Sequence, residues 1–169
     1  METTTNPPVE NTKITITIPT HAYFISGIRD FTMNLVKNMT GFSEKWAYRF
    51  QAVIDELCNN AIEHGSIPGD NIYITFENRK GETLILSVEN DGNSPKHKTA
   101  AEMREYLKNK LEEQASNNMA AFSIRGRGLS QIIYNWSDNL EFFDRDNGGL
   151  KVQIMKSVKN EDPVLSASL

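Results

Sequence analysis

Three polar side chains recur at four-residue intervals near the end of a predicted helix. They are Glu56, Asn60 and His64, within the stretch DELCNNAIEHG. Each step of four residues advances only about 40° around an α-helix, so the three side chains lie along one stripe. A carboxylate and an amide oxygen placed in this way could bind a magnesium ion and take a proton from a hydroxyl group. A polar helix flank without a shared role is the alternative.

A second polar group lies where a predicted strand ends, in the sequence VENDGN. Asn90 could present its amide to a flat heterocycle, and Gly92 would let the backbone pass close beneath that ring. An ordinary Asn-Asp-Gly turn is the alternative.

The third motif is RGRGLS, immediately before a predicted helix. Gly126 and Gly128 allow close approach of the backbone, and the first N–H groups of a helix point towards an anion. Arg125 and Arg127 could add positive charge there. The patterns GxxxxGK[ST] and GxGxxG are both absent, so a nucleotide would bind by another design.

The charge of the chain is unevenly distributed. The formal net charge is −4, which argues against nucleic acid as the main partner. Residues 94–127, however, contain seven Lys or Arg against four Glu. This basic segment could lie over a small anion; a solvated charged helix is the alternative.

Composition favours one globular domain in the cytoplasm. The chain has 169 residues, of which 38% are apolar. It has no apolar run of membrane-spanning length and no secretory signal pattern. The single cysteine, Cys58, excludes an internal disulfide and a zinc cluster.

The periodicity of apolar residues predicts the elements that position these motifs. Alternation predicts five strands, and helical spacing predicts four helices. The strands lie around residues 14–18, 72–76, 84–88, 140–142 and 150–154, and the helices around 24–35, 46–61, 103–111 and 129–136. Because the strands alternate, we expect an α+β fold: a two-layer α/β sandwich with a mixed, mostly antiparallel sheet and helices on one face. Residues 12–157 would form the domain, between flexible termini at 1–11 and 158–169.

Three motifs, in their order along the chain, resemble the pattern of the GHKL (Bergerat-fold) ATP-binding superfamily. They are ExxxNAxxHG on a helix, NDG at a strand end and GxGL before a helix. The resemblance covers roughly residues 12–157. At this length it is greatest to bacterial anti-sigma-factor serine/threonine kinases. It implies the histidine-kinase-like ATPase fold with ATP and Mg²⁺ as cofactors.

The resemblance also implies a role for each motif residue. Glu56 would be the general base, Asn60 would hold the Mg²⁺, and Gly92 would let adenine lie against the backbone. Asn90 stands where the family has an aspartate that binds the adenine amino group. The phosphate contacts would come from Gly126, Gly128 and Leu129, with Arg125 and Arg127 beside them.

Three further roles follow from the same resemblance. Residues 93–125 would form a lid over ATP. His64 could reach the ribose or a phosphate; the alternative is an imidazole stabilised by the helix dipole. Arg29, on the first helix, would contact a partner; an exposed arginine without a partner is the alternative.

The sequence departs from the family pattern at three positions. Asn90 replaces the aspartate, Ser94 replaces a glycine at the start of the lid, and Leu150 replaces a threonine in the last strand. Each change would cost about 1 kcal/mol of nucleotide affinity, or roughly fivefold.

The resemblance predicts a kinase that phosphorylates a serine on a small anti-sigma-antagonist protein and sequesters a sigma factor. It implies no direct contact with nucleic acid or membrane, and a homodimer is possible. The alternative is a non-catalytic module that binds a partner, with nucleotide structural or absent. A histidine kinase domain is disfavoured because no helical hairpin that would carry a phosphoacceptor histidine is evident around His21, His64 or His97.

Overall fold

The computed structural model describes residues 10–116 and 136–161, and these contain a five-stranded sheet in the order β1-β2-β3-β5-β4. Every strand pairing in it is antiparallel. The strands are β1 (Thr12–Pro19), β2 (Asn71–Arg79), β3 (Thr83–Glu89), β4 (Asn139–Asp144) and β5 (Leu150–Ser157).

Three α-helices accompany the sheet within the described residues. They are α1 (Ile25–Met39), α2 (Glu44–Gly65) and α3 (Ala100–Ser116), with short 3₁₀ turns at Ala22–Phe24 and Val158–Asn160. The helix predicted around 129–136 lies, except for its last residue, outside the described residues. None of the described helices combines the length and hydrophobicity needed to cross a membrane.

Strand alternation places one row of apolar side chains across the inner face of the sheet. Backbone pairing aligns Ile14 with Phe76, Phe76 with Leu86, Leu86 with Ile154, and Ile154 with Leu140. The helices α1 and α2 cover most of this row and bury their own apolar stripes against it. The two-layer arrangement predicted from the alternation, with helices on one face, is therefore confirmed.

The helix α3 packs separately, at the β4 end of the same face. A small cluster of Ala100, Phe142 and Leu150 lies beneath it, apart from the main core. Arg104 Nη2 donates to the carbonyl oxygen of Phe142 at 2.7 Å, and Asp144 Oδ1 accepts from the N–H of Ala100 at 2.7 Å. These contacts fix α3 to the edge strand.

The structured region extends beyond the predicted end of the domain at residue 157. The N–H of Val158 donates to the carbonyl oxygen of Glu82 at 2.8 Å, and Glu161 Oε1 accepts from the N–H of Ser43 at 2.7 Å. Residues 158–161 are thus joined to the domain. Most of the predicted flexible termini, residues 1–9 and 162–169, lie outside the described residues.

Candidate functional site

Glu56 and Asn60 form a hydrogen-bonded pair on one side of α2. Asn60 Nδ2 donates to Glu56 Oε1 at 3.4 Å, and both side chains are half-buried. Burial raises the pKa of Glu56 above its ordinary value of 4.5, while the Asn60 hydrogen bond opposes the shift. A raised pKa makes a carboxylate a better proton acceptor, as a general base requires.

The carbonyl oxygen of Asn60 suits a magnesium ligand. The amide nitrogen of Asn60 faces Glu56, so Oδ1 is left for another partner. Across residues 10–116 and 136–161, no group of three or more His, Cys, Asp or Glu side chains could hold a metal ion. Mg²⁺ commonly takes most of its ligands from phosphates and water, so a single protein oxygen such as Asn60 Oδ1 would suit it.

His64 and Arg29 both lie on the surface. The His64 side chain is 55% exposed, and its Nε2 lies 3.9 Å from Glu63 Oε2. The Arg29 side chain is 47% exposed, with its Nε 3.9 Å from Asp55 Oδ1. This contact joins α1 to α2 at Asp55, the residue before Glu56 in the chain. The roles predicted for His64 and Arg29 stay predictions.

Asn90 is enclosed at the end of β3, with only 4% of the residue exposed. Its Oδ1 accepts from the N–H of Gly92 at 3.0 Å, and its own N–H donates to the carbonyl oxygen of Leu150 at 3.0 Å. Two glycines make room for it. A Cβ on Gly65 would lie 2.1 Å from Asn90 Nδ2, and a Cβ on Gly149 would lie 1.9 Å from the Asn90 carbonyl oxygen.

Gly92 is required for two separate reasons. Its φ of +73° lies in the left-handed region, which L residues with side chains rarely adopt. A Cβ there would also lie 2.4 Å from the carbonyl oxygen of Gly148. The need for glycine at this turn therefore comes from its own conformation and from the neighbouring Gly148. The predicted approach of this backbone to a base stays a prediction.

Arg145 holds this segment in place, and sequence reasoning missed it. Its guanidinium donates to the carbonyl oxygen of Asn90 and to Asp91 Oδ1, each at 2.8 Å, and pairs with Glu89 Oε2 at 3.0 Å. The Tyr73 ring lies beneath it, 5.0 Å from ring centroid to guanidinium carbon. In the sequence, Arg145 is an arginine in a polar turn. Solvated turns usually have such a composition, so nothing distinguished this residue from an exposed one.

The other two departures from the family pattern also occupy internal positions. Ser94 is buried, and its Oγ accepts from the N–H of Lys96 at 3.1 Å. Leu150 is buried against Ala100 and Phe142 beneath α3. The Leu150 side chain therefore contributes apolar contact where the family pattern has a hydroxyl group.

The predicted lid, residues 93–125, is described only as far as residue 116. It begins with a hydrogen bond from Asn93 Nδ2 to Asp70 Oδ1 at 3.0 Å and continues into α3. The predicted phosphate-binding residues all lie outside the described residues; they are Arg125, Gly126, Arg127, Gly128 and Leu129.

A cavity of about 510 Å³ lies between α3 and β4. Its lining residues all come from these two elements and include Leu107, Leu111 and Phe142. It contains no residue of the Glu56–Asn60 pair or of the Asn90 turn, so it is separate from the predicted site.

The chain was compared with family models and with curated proteins. The family model of the histidine kinase-like ATPase domain matches residues 19–156, a range that includes α2, the Asn90 turn and the RGRGLS motif. The comparison with curated proteins finds no match. Because the matched range covers well over half of the sequence and the sheet and helices agree with that fold, the chain belongs to the histidine kinase-like ATPase domain family of the GHKL superfamily.

Proposed function

We propose that this chain is an ATP-dependent anti-sigma regulatory factor that phosphorylates a serine on a small anti-sigma-antagonist protein and sequesters a sigma factor. The observation that carries the proposal is the Glu56–Asn60 pair: a half-buried carboxylate of raised pKa beside an amide whose oxygen is available. An ATPase domain needs the amide oxygen for its metal, and transfer to a hydroxyl group needs the base.

In this proposal Glu56 accepts the proton of the serine hydroxyl group while the serine oxygen forms a bond to the γ-phosphorus of ATP. The bond from that phosphorus to the oxygen of the departing diphosphate breaks in the same reaction. Asn60 Oδ1 would hold Mg²⁺, which supplies charge neutralisation on the phosphates when bound. Arg29 would contact the partner from the adjoining surface, and the reaction would take place in the cytoplasm.

Phosphoryl transfer tests the proposal directly. The purified chain is incubated with γ-labelled MgATP and a candidate antagonist protein, alongside a version of that protein with its acceptor serine changed to alanine. We expect label on the serine-containing protein alone. Glu56→Gln should lower the transfer rate at least about 100-fold while MgATP still binds, and Asn60→Ala should weaken MgATP binding itself.

Glu44→Gln is the matched control for Glu56→Gln. Glu44 is on the same helix, but its side chain is 65% exposed, and we expect this variant to transfer label at close to the wild-type rate. Equal transfer by wild type and Glu56→Gln would contradict the assigned base.

A second candidate function is a non-catalytic partner-binding module of the same fold. The engaged Oδ1 of Asn90 and the apolar Leu150 favour it, because both positions offer less to a nucleotide than the family pattern does. This candidate predicts partner binding with no labelled product. The labelled product separates the two candidates, and thermal unfolding shows whether the fold binds nucleotide at all: MgATP at 100 times its Kd should stabilise an ATP-binding fold by about 2.7 kcal/mol.

A further inference from the structure

The amide of Asn90 has one orientation. The N–H of Gly92 can only donate, so the atom of Asn90 that faces it, at 3.0 Å, must be the acceptor Oδ1. This leaves Nδ2 as the remaining donor of a residue that is 4% exposed. Within the described part of the chain, Nδ2 donates to no acceptor.

The surroundings of Asn90 keep the amide in this orientation. Its backbone N–H is bonded to Leu150, and its carbonyl oxygen is held by Arg145. Nδ2 lies over Gly65, in space that a Cβ there would occupy. A flip of the amide would place an NH₂ group against the N–H of Gly92, donor against donor, and would lose the hydrogen bond.

The carboxylates on either side of Asn90 are both in ion pairs. Glu89 and Asp91 flank Asn90 in the chain, and both pair with Arg145, at 3.0 and 2.8 Å respectively. Asp91 Oδ1 also accepts from Asn147 Nδ2 at 2.9 Å. The Asn90 side chain therefore offers a ligand a hydrogen-bond donor, and the carboxylates on either side of it are each in an ion pair with Arg145.

Purine bases differ in whether the group at position 6 donates or accepts a hydrogen bond, and a donor such as Asn90 Nδ2 can pair only with an acceptor. Adenine carries an amino group there, which donates, and has an acceptor only at N1. Hypoxanthine and guanine carry a carbonyl oxygen at position 6, which accepts. A carboxylate at residue 90 would favour the amino group and repel the carbonyl oxygen, whereas Asn90 Nδ2 can donate to the carbonyl oxygen or to N1 of adenine.

We propose that Asn90 broadens the nucleotide specificity of this site, so that it binds a 6-oxopurine nucleoside triphosphate at least as tightly as ATP. The inference rests on the proposed function in one respect, because it takes the space beside Asn90 as the base subsite.

Calorimetric titration with MgATP and MgITP tests the proposal, because the two bases differ only in the groups at positions 6 and 1. For the wild-type chain we expect a Kd for ITP no larger than the Kd for ATP. Asn90→Asp should raise the ratio of the ITP Kd to the ATP Kd at least about tenfold. Asp146→Asn, a change at an exposed turn residue, should leave this ratio unchanged.

A wild-type chain that prefers ATP overturns the proposal, and so does a ratio that rises less than tenfold in Asn90→Asp. The proposed function is not affected by either result, since ATP binds in both. Failure of both nucleotides to bind the wild-type chain would overturn the proposed function and this inference together. The wild-type comparison is decisive even if Asn90→Asp does not fold.

Discussion

The burial of Glu56 has opposite effects on its proton affinity and on the stability of the fold. Its charge is poorly solvated, which strengthens it as a base but disfavours the ionised form in the folded protein. The hydrogen bond from Asn60 offsets part of this cost. A carboxylate in this setting is a stronger proton acceptor than one in water, and the burial of its charge costs the folded state some stability.

The pKa of Glu56 can be measured by NMR titration of a chain labelled with ¹³C at the glutamate carboxyl groups. We expect a midpoint above 4.5, with Glu56→Gln identifying the resonance. Asn60→Leu should raise the midpoint further, because it keeps the site apolar and removes the stabilising hydrogen bond. A midpoint at or below 4.5 in the wild-type chain would contradict the burial argument.

Substitution of Gly65 tests how closely the Asn90 side chain packs against α2. Alanine is the better helix former by up to about 1 kcal/mol, yet a Cβ at residue 65 would lie 2.1 Å from Asn90 Nδ2. We therefore expect Gly65→Ala to weaken MgATP binding at least tenfold in a calorimetric titration.

Gly27 supplies the control for that experiment. It lies within α1, where a Cβ would have no atom within 4 Å. Gly27→Ala should leave nucleotide affinity unchanged and stabilise the fold by up to about 1 kcal/mol. If the two variants bound MgATP equally well, Asn90 would not depend on Gly65.

Among the elements, α3 is held by contacts that are distant in sequence. Asp144 accepts from the first N–H of the helix, and Arg104 reaches the carbonyl oxygen of Phe142. A side chain that caps a helix N-terminus contributes about 1 kcal/mol. Here the cap comes from a strand, so it fixes the position of α3 as well as its end.

Asp144→Ala should loosen α3 without affecting α2. Hydrogen exchange followed by mass spectrometry should show about fivefold faster exchange in peptides covering 103–111, as expected for the loss of about 1 kcal/mol, and unchanged exchange in peptides covering 50–61. Asp146→Ala changes an exposed aspartate in the same turn and should leave both regions as in the wild type. Equal protection of α3 in the two variants would show that the cap does not anchor it.

The helices and strands themselves could be predicted from sequence because each depends on a local pattern. In β2, the alternation of Ile72, Ile74 and Phe76 determines which face is buried, and in α2 the apolar stripe from Trp46 to Ala61 does the same. Both patterns can be recognised without knowing the rest of the fold. The place of α3 could not be predicted, because its anchors join residues about 40 positions apart. At the candidate site, the Glu56–Asn60 stripe follows from helical spacing, whereas the Arg145 contacts depend on how a turn meets another strand.

For the molecule as a whole, an ion pair with a buried lysine joins the sheet to the residues that precede β4 and follow β5. Lys156 Nζ donates to Asp138 Oδ1 at 2.9 Å, with side chains 7% and 17% exposed. The ammonium group also lies 4.6 Å from the centroid of the Trp46 ring in the main core. Burial alone would raise the pKa of Asp138, but hydrogen bonds from Lys156, Asn160 and the N–H of Ser157 outweigh it, and the pKa lies below 3.8.

Asp138→Asn should therefore destabilise the fold in a pH-dependent way. An aspartate whose pKa is lowered by folding stabilises the protein above its unfolded-state pKa of about 3.9, and this contribution is lost as the pH falls through the folded-state pKa. Urea unfolding should give a difference of about 2 kcal/mol between wild type and variant at pH 7. The difference should shrink below pH 4; a constant difference from pH 7 to pH 3 would contradict the pairing.

Two consecutive residues, the last of β4 and the first of the turn to β5, make separate contacts. Asp144 secures the start of α3, and Arg145 secures the backbone around Asn90. Because adjacent residues make both contacts, a change that moves the start of α3 is expected to move the backbone around Asn90 as well. Protein engineers who seek to retune one of these regions should expect to disturb the other.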